Sequence, residues 1–265
     1  MKKEFGIKDP LLRKPYGGGS CAVFRKIGCI GDSLSSGEME IVSGNERHYI
    51  DLYDYSWGQF LARMTGAKVY NFSRGGMTAK EFIEGWGEEN GCFDVDKRCQ
   101  AYIIALGVND LINVRQEVGS TDDVGGNADT FARYFTDVVA RYKEIEPNAK
   151  FFFVTMPKES SDDETVARIK ERHAELLYAL SEKLANCFVI DLNEYAPVYD
   201  ADFKAAYYLN GHMNPAGYRL TAEYVVSGID SIVSAFPREF NDVALIGTEY
   251  HRLVENTGDN ENEEV

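Results

Sequence analysis

Histidine is scarce in this chain, with four residues among 265, so chemistry that needs an imidazole has only His48, His173, His212 and His251 to draw on. Cysteine is almost as thin. Cys21, Cys29, Cys92, Cys99 and Cys187 make an odd count of five with no C-x-x-C pair, which argues against a disulfide scaffold and leaves no ligand spacing for a metal. Such thiols fit a reducing compartment, and a cytoplasmic location is expected, although a secreted form stripped of its leader has the same appearance. No lysine or arginine cluster interrupts the formal net charge of -15, so neither nucleic acid nor an anionic membrane is expected as a partner. No stretch approaches the roughly 20 apolar residues that cross a bilayer. Met1-Lys2-Lys3 is followed by Lys8, Asp9, Arg13 and Lys14 rather than by an apolar core, unlike a secretory leader.

What the chain does have is core-forming material. A hydrophobic content of 44% and an aromatic content of 12% over this length fill one domain without requiring a second. Short apolar runs alternate with longer segments of helical period, which predicts a parallel sheet wrapped by helices. Strands are expected at 24–30, 68–72, 101–106, 151–155 and 187–192, all brief and covered on both faces. Helices are expected at 56–65, 129–146, 163–185 and from Pro215, capped by Asn214, to about Phe236. Thr78 to Glu81 has capping-box spacing. Residues 1–23, with Pro10, Pro15 and Gly17-Gly18-Gly19, read as an irregular arm. Past Pro237 the chain reads as a peripheral segment, 238–265, with one peripheral strand at 243–246 and an acidic tail from Asn256 expected to be disordered. There is no internal repeat.

Four segments carry chemistry, and each follows an apolar run. Gly31-Asp32-Ser33-Leu34 places a serine in a strand-to-helix turn, where its hydroxyl is exposed and its own N–H can face a developing oxyanion. It lacks the second glycine of G-x-S-x-G, which argues against the usual α/β-hydrolase elbow. Asn71-Phe72-Ser73-Arg74-Gly75-Gly76-Met77-Thr78 offers the N–H of Gly76, which a substrate oxygen can approach closely. Gly107-Val108-Asn109-Asp110 offers a carboxamide donor. His212, ahead of Asn214-Pro215, can take the serine proton as a neutral imidazole. Each segment alone has a plainer explanation in turn chemistry, Gly75 as a plain turn glycine included. The four in order reverse that judgement, because a nucleophile, two kinds of oxyanion donor and a base are the parts of an acyl-transferring hydrolase. His173 reads as a surface or half-buried residue on a charged helix, His48 as part of a polar insertion and His251 as part of the tail.

The chain resembles the SGNH (GDSL) hydrolase superfamily over roughly residues 27–236, with Ser33 in block I, Gly76 in block II, Asn109 in block III and His212 in block V. The resemblance implies a three-layer α/β/α sandwich around a flavodoxin-like five-stranded parallel sheet, with residues 24–237 as the hydrolase domain. It also implies Ser33 as nucleophile, the Ser33 N–H, Gly76 N–H and Asn109 side chain as oxyanion hole, and His212 as general base. No metal or cofactor is expected.

One position departs from the family pattern. Where the family has an aspartate three residues before its histidine, this chain has Leu209. Either the imidazole is held by a backbone carbonyl such as that of Leu209, the preferred reading, or an acid comes from elsewhere; Asp200 and Asp202 are near in sequence, and Asn210 could help through its amide. Losing the acid can cost orders of magnitude in rate. The insertion 38–57, with Tyr49, Tyr53, Tyr55 and Trp57, could form a lid or a sugar-stacking wall, or pack onto the core. Arg74 could hold a substrate carboxylate, against the plainer reading of a solvated arginine. No amphipathic cationic helix suggests lipid surfaces. A serine esterase of small soluble esters, such as O-acetyl groups on a carbohydrate, is the preferred function, by family analogy. A non-catalytic binding module and an acyltransferase using the same site are the alternatives. Oligomeric state stays open.

Overall fold

The computed structural model describes residues 16–251. The acidic stretch from Asn256, together with Pro10 and Pro15, lies outside the described residues. In chain order the strands are β1 Lys26–Gly31, β2 Glu38–Ser43, β3 Glu46–Asp51, β4 Lys68–Ser73, β5 Ala101–Ala105, β6 Lys150–Val154, β7 Cys187–Ile190, β8 Tyr208–Leu209 and β9 His212–Met213. Five of them form one parallel sheet in the order β4-β1-β5-β6-β7, the flavodoxin-like arrangement whose order reverses at β1. The five strands expected for the sheet are all present, with ends moved by at most two residues.

Residues of β6 show why the sheet is covered on both sides. Phe151, Phe152 and Phe153 are each fully buried; because successive side chains alternate faces, Phe151 and Phe153 join one core while Phe152 joins the other. The first core is closed by the helices Phe131–Ile145 and Glu164–Lys183. The second is closed by Trp57–Thr65 and Pro215–Ala235. The result is a three-layer α/β/α sandwich.

Caps set the helix starts. Asn214 accepts from the N–H groups of Ala216 and Gly217 with Pro215 at the first helical position, and Asp163 and Ser56 accept from Val166 and Gln59, satisfying N–H groups that have no partner inside the helix. The helix expected from Asp129 begins instead at Phe131 behind Thr130, because the Asp129 carboxylate is engaged by Lys80 and Tyr134.

Two expectations outside the sheet need correction. Val243–Leu245 is a 3-10 turn rather than a strand; the Val243 carbonyl accepts from Gln100 Nε2, and Val243 and Ile246 are buried against the second core. Of the expected irregular arm, Tyr16–Val23 forms a 3-10 helix with Cys21 fully buried. All five cysteines are free and buried.

Candidate active site

Ser33, Gly76 and Asn109 follow β1, β4 and β5, three neighbouring strands at the point where the sheet order reverses, which is where parallel α/β sheets place ligands. Ser33 opens the short helix α1, Ser33–Ser36. Its cap is Asp32, whose Oδ1 accepts from the Leu34 N–H at 3.0 Å, so the turn that carries Ser33 is fixed by its neighbour in the sequence. Asn71 Nδ2 donates to the Ser36 carbonyl at 3.3 Å, tying block II to the end of that helix. Gly76 is exposed and holds φ +73°, with no atom within 4 Å of where a Cβ would stand.

Block III is stitched to the other two. Asn109 Nδ2 lies 3.2 Å from the Met77 carbonyl oxygen and 3.4 Å from Asp32 Oδ2, while Asn109 Oδ1 accepts from Asn113 Nδ2 at 2.7 Å. Asp110 is fully buried and its Oδ1 accepts from the Ala79 N–H at 2.7 Å. Burial pushes the Asp110 carboxyl up to about 6, against the lowering pull of the Ala79 N–H. Burial likewise pushes Asp32 up to about 7, with Asp110 and Glu38 adding to the rise.

His173 is not a surface residue. It is fully buried on the helix Glu164–Lys183, with Nε2 3.2 Å from the Leu106 carbonyl, and burial lowers its imidazole to about 4. A Cβ on Gly107, at φ +135°, would stand 2.8 Å from that nitrogen. His173 therefore supports the block III turn from below.

His212 begins β9, which pairs antiparallel with β8 across the two-residue turn Asn210-Gly211, Leu209 opposite His212. Asn210 holds φ +58°, as such turns require. β9 touches both α1 and β2, but among the described residues neither Ser33 Oγ nor the Leu209 carbonyl is hydrogen-bonded to the ring. Its neighbours are two glutamates: Nε2 lies 3.1 Å from Glu38 Oε1, and Nδ1 lies 3.8 Å from Glu40 Oε2. Nδ1 is buried without a hydrogen bond. Of the other groups named from sequence for orienting the ring, none is bonded to it among the described residues. Asp200 caps the helix Ala201–Tyr207, Asp202 is exposed on that helix, and Asn210 donates to the Glu40 carbonyl at 2.8 Å.

The insertion after the nucleophile is a β2–β3 hairpin. Tyr49, exposed and paired opposite Glu40, sets its ring edge-on to His212 at 5.7 Å. Trp57 belongs to the core instead, donating from Nε1 to Ser35 Oγ at 3.2 Å. Tyr53 donates to the Val69 carbonyl at 3.2 Å, and Tyr55 lies against Phe60. Arg74 pairs with Glu81 at 3.1 Å and lies over the Trp86 ring, so its charge is already answered.

Beneath the rim runs a largely apolar cavity of about 130 Å³. Leu34 and Val108, the chain neighbours of Ser33 and Asn109, line it with Ile112, Met156, Tyr208 and Met213. Among the described residues no group of histidine, cysteine and carboxylate side chains is arranged to hold a metal ion, and no helix is long and apolar enough to cross a membrane.

A three-layer sandwich with serine, glycine, asparagine and histidine segments after its strands is the plan of the SGNH class of hydrolases. A model of the GDSL-like Lipase/Acylhydrolase family matches residues 29–220, most of the chain, and the chain belongs to that family, as a carboxylic ester hydrolase. No curated protein sequence matches it. Among solved structures it is similar to a family two carbohydrate esterase from Clostridium thermocellum in complex with cellohexaose, with a TM-score of 0.59 and 15% identity over 79% of this chain and 65% of that one. It is also similar to a carbohydrate esterase family 2 enzyme plus carbohydrate binding domain from Corynascus thermopiles (Myceliophthora fergusii), with a TM-score of 0.54 and 18% identity over 80% and 67%. A possible lipase from Chitinophaga pinensis matches with a TM-score of 0.52 and 14% identity over 78% and 98%. At such identities the likeness speaks to the fold.

Proposed function

We propose that the protein hydrolyses small, neutral, water-soluble esters through an acyl-Ser33 intermediate, with O-acetyl groups on a carbohydrate as the preferred substrate class. The observation that supports the reading is the tie between Asn109 and both Asp32, the cap of the Ser33 helix, and Met77 next to Gly76, which holds block III against blocks I and II. In the acylation step the Ser33 oxygen bonds to the ester carbonyl carbon and its proton passes to His212. The carbonyl electron pair moves onto oxygen, facing the Ser33 and Gly76 N–H groups and the Asn109 amide. Collapse breaks the bond to the alkoxy group, which leaves as the alcohol with the proton from His212. Water then repeats the sequence, regenerating Ser33 and releasing the carboxylic acid.

Size and charge narrow the substrate. An apolar cavity of ~150 Å³ holds a benzene-sized guest, so the cavity of about 130 Å³ beside Leu34 and Val108 suits an acyl group of a few carbons. Asp32, Glu38, Glu40 and Asp51 crowd the surroundings of His212; burial, Asp51 and Glu40 all raise the Glu38 carboxyl, while His212 pulls it down. Arg74 is already paired with Glu81, so a negatively charged ester meets repulsion from these carboxylates.

The competing reading is a non-catalytic binding module, and the lack of a Ser33–His212 hydrogen bond is what favours it. Resting hydrolases often tighten that contact only with substrate bound. A fluorophosphonate probe offered to wild type and Ser33→Ala decides: labelling of wild type alone supports the esterase, and no labelling of either supports the binding module. Product analysis with competing alcohols separates hydrolysis from acyl transfer.

A further inference from the structure

The family acid is missing at Leu209, yet the imidazole of His212 is flanked by two carboxylates from a different part of the chain. We propose that the β2–β3 hairpin supplies that acid: Glu38 and Glu40 are positioning residues for His212, Glu40 from the Nδ1 side and Glu38 from the Nε2 side. The inference rests on the esterase reading for its catalytic meaning and on geometry alone for the contacts.

Positions 38 and 40 lie two apart on one strand, so their side chains share a face, and β2 turns that face toward β9. Glu40 is only 2% exposed and is held in place on two sides. Its Oε2 accepts from the Gly211 N–H at 2.7 Å, one residue before His212, and its Oε1 pairs with Arg47 at 2.9 Å. A carboxylate so fixed keeps one oxygen against the residue that carries the ring, 3.8 Å from Nδ1. Glu38 is the more exposed partner, 15% against 2% for Glu40, with Oε1 on Nε2 at 3.1 Å. Its Oε2 is packed so closely on Gly75 that a Cβ there would stand 2.3 Å away, so Gly75 is not a plain turn glycine. It provides the room in which Glu38 lies between block II and the base.

The hairpin is anchored well enough to hold this geometry. Ser36 Oγ donates to Asp51 Oδ1 at 2.6 Å, the Leu52 N–H donates to the Gly37 carbonyl at 3.1 Å, the Tyr218 hydroxyl donates to the Glu38 carbonyl, and Asn210 donates to the Glu40 carbonyl. These bonds bind the hairpin to α1, to the last helix and to the β8–β9 turn. When Ser33 gives its proton to Nε2, in the place Glu38 holds in this structure, His212 becomes positive with Glu40 still on its Nδ1 side, which is the service an orienting acid performs. Swinging aside, Glu38 leaves Nε2 to the Ser33 hydroxyl.

The test uses the full chain with Glu38→Gln, Glu40→Gln and the double substitution, glutamine keeping size and an acceptor for Gly211. Two readouts are taken: kcat and KM on p-nitrophenyl acetate, and long-range nitrogen-15 spectra of the His212 imidazole. Expected results are a fall in kcat of about tenfold in each single variant and about a hundredfold or more in the double, KM within threefold, and altered His212 nitrogen resonances in both singles. Arg219→Gln, an exposed change on the last helix whose partner is Glu223 rather than either hairpin glutamate, serves as the folding control and keeps kcat within threefold. A double variant with wild-type kcat within twofold, or His212 nitrogens unchanged in both singles, overturns the proposal. If wild type fails to turn over any ester while the His212 spectra still respond to the glutamates, the esterase reading falls and the assignment of the two acids stands.

Discussion

Asn109 donates from Nδ2 to the Met77 carbonyl oxygen at 3.2 Å, one residue beyond Gly76. The amide proposed for the oxyanion is thus held by the same segment that presents the second donor. Removing one such donor typically costs ~10²–10³ in kcat. Asn109→Ala is therefore expected to lower kcat on p-nitrophenyl acetate by that order with KM within a few-fold, measured by steady-state kinetics. An equal loss carried mainly by KM would contradict the assignment.

The adjacent glycines should respond differently to alanine. At Gly76 no atom obstructs a Cβ, but φ is +73°, so Gly76→Ala carries a backbone cost of roughly 1–2 kcal/mol and a lower thermal midpoint. At Gly75 the added methyl meets only the movable end of Glu38. Gly75→Ala should leave the midpoint within a degree or two while cutting kcat about tenfold, because Glu38 must leave its place beside His212. Scanning calorimetry beside kinetics separates the two.

Chain-length preference follows from the proposal that the acyl group enters the cavity lined by Leu34 and Val108, the chain neighbours of Ser33 and Asn109. Acetate to butyrate p-nitrophenyl esters are expected to be the best substrates, with dodecanoate at least tenfold poorer in kcat/KM. Ile112→Trp, which fills a lining position, should depress butyrate turnover more than acetate turnover. A preference that rises steadily with chain length would refute the assignment.

Acid–base linkage gives a stability test. Asp110 is protonated more readily in the fold than in the unfolded chain, its carboxyl raised from 3.8 to about 6. Between those values the folded state holds more protons than the unfolded state, so the contribution of this group to stability is full below about pH 4 and is lost as pH rises through 6. Denaturant titrations of wild type and Asp110→Ala should show a smaller destabilisation at pH 8 than at pH 5, by on the order of 1 kcal/mol. His173 runs the other way. Its imidazole, lowered to about 4, favours the fold above the unfolded value and withdraws that support as pH falls through 4, and it cancels when the two Asp110 forms are compared at one pH.

The sheet was legible because runs such as Phe151–Phe153 are apolar on both faces, and the main helices because Ser56, Asp163 and Asn214 stand where a cap must. Ser33, Gly76, Asn109 and His212 could be named because their neighbours form recurring patterns. Glu38 and Glu40 could not. Two glutamates alternating along a short strand look like a solvent face, and their partner lies near the other end of the chain; only the Asn210-Gly211 turn, a hairpin signal, could have hinted that His212 swings back toward that strand. His173 was misjudged for a related reason: charged neighbours on its helix mask one inward position under Gly107. Val243 to Ile246 looked like a strand because four apolar residues in a row carry no period, and their burial is decided by Gln100 and the second core.

The thiols offer a practical opening. Burial pushes Cys21, Cys92, Cys99 and Cys187 up to about 12 and raises Cys29 as well, so all five should resist alkylating reagents while the fold is intact, since the thiolate is the reacting form. A lone cysteine introduced at Asn45, in the exposed bend of the β2–β3 hairpin, would then take a fluorophore without prior removal of the natural ones. Whether the surroundings of that bend change when substrate binds near His212 could then be followed optically in an otherwise native chain.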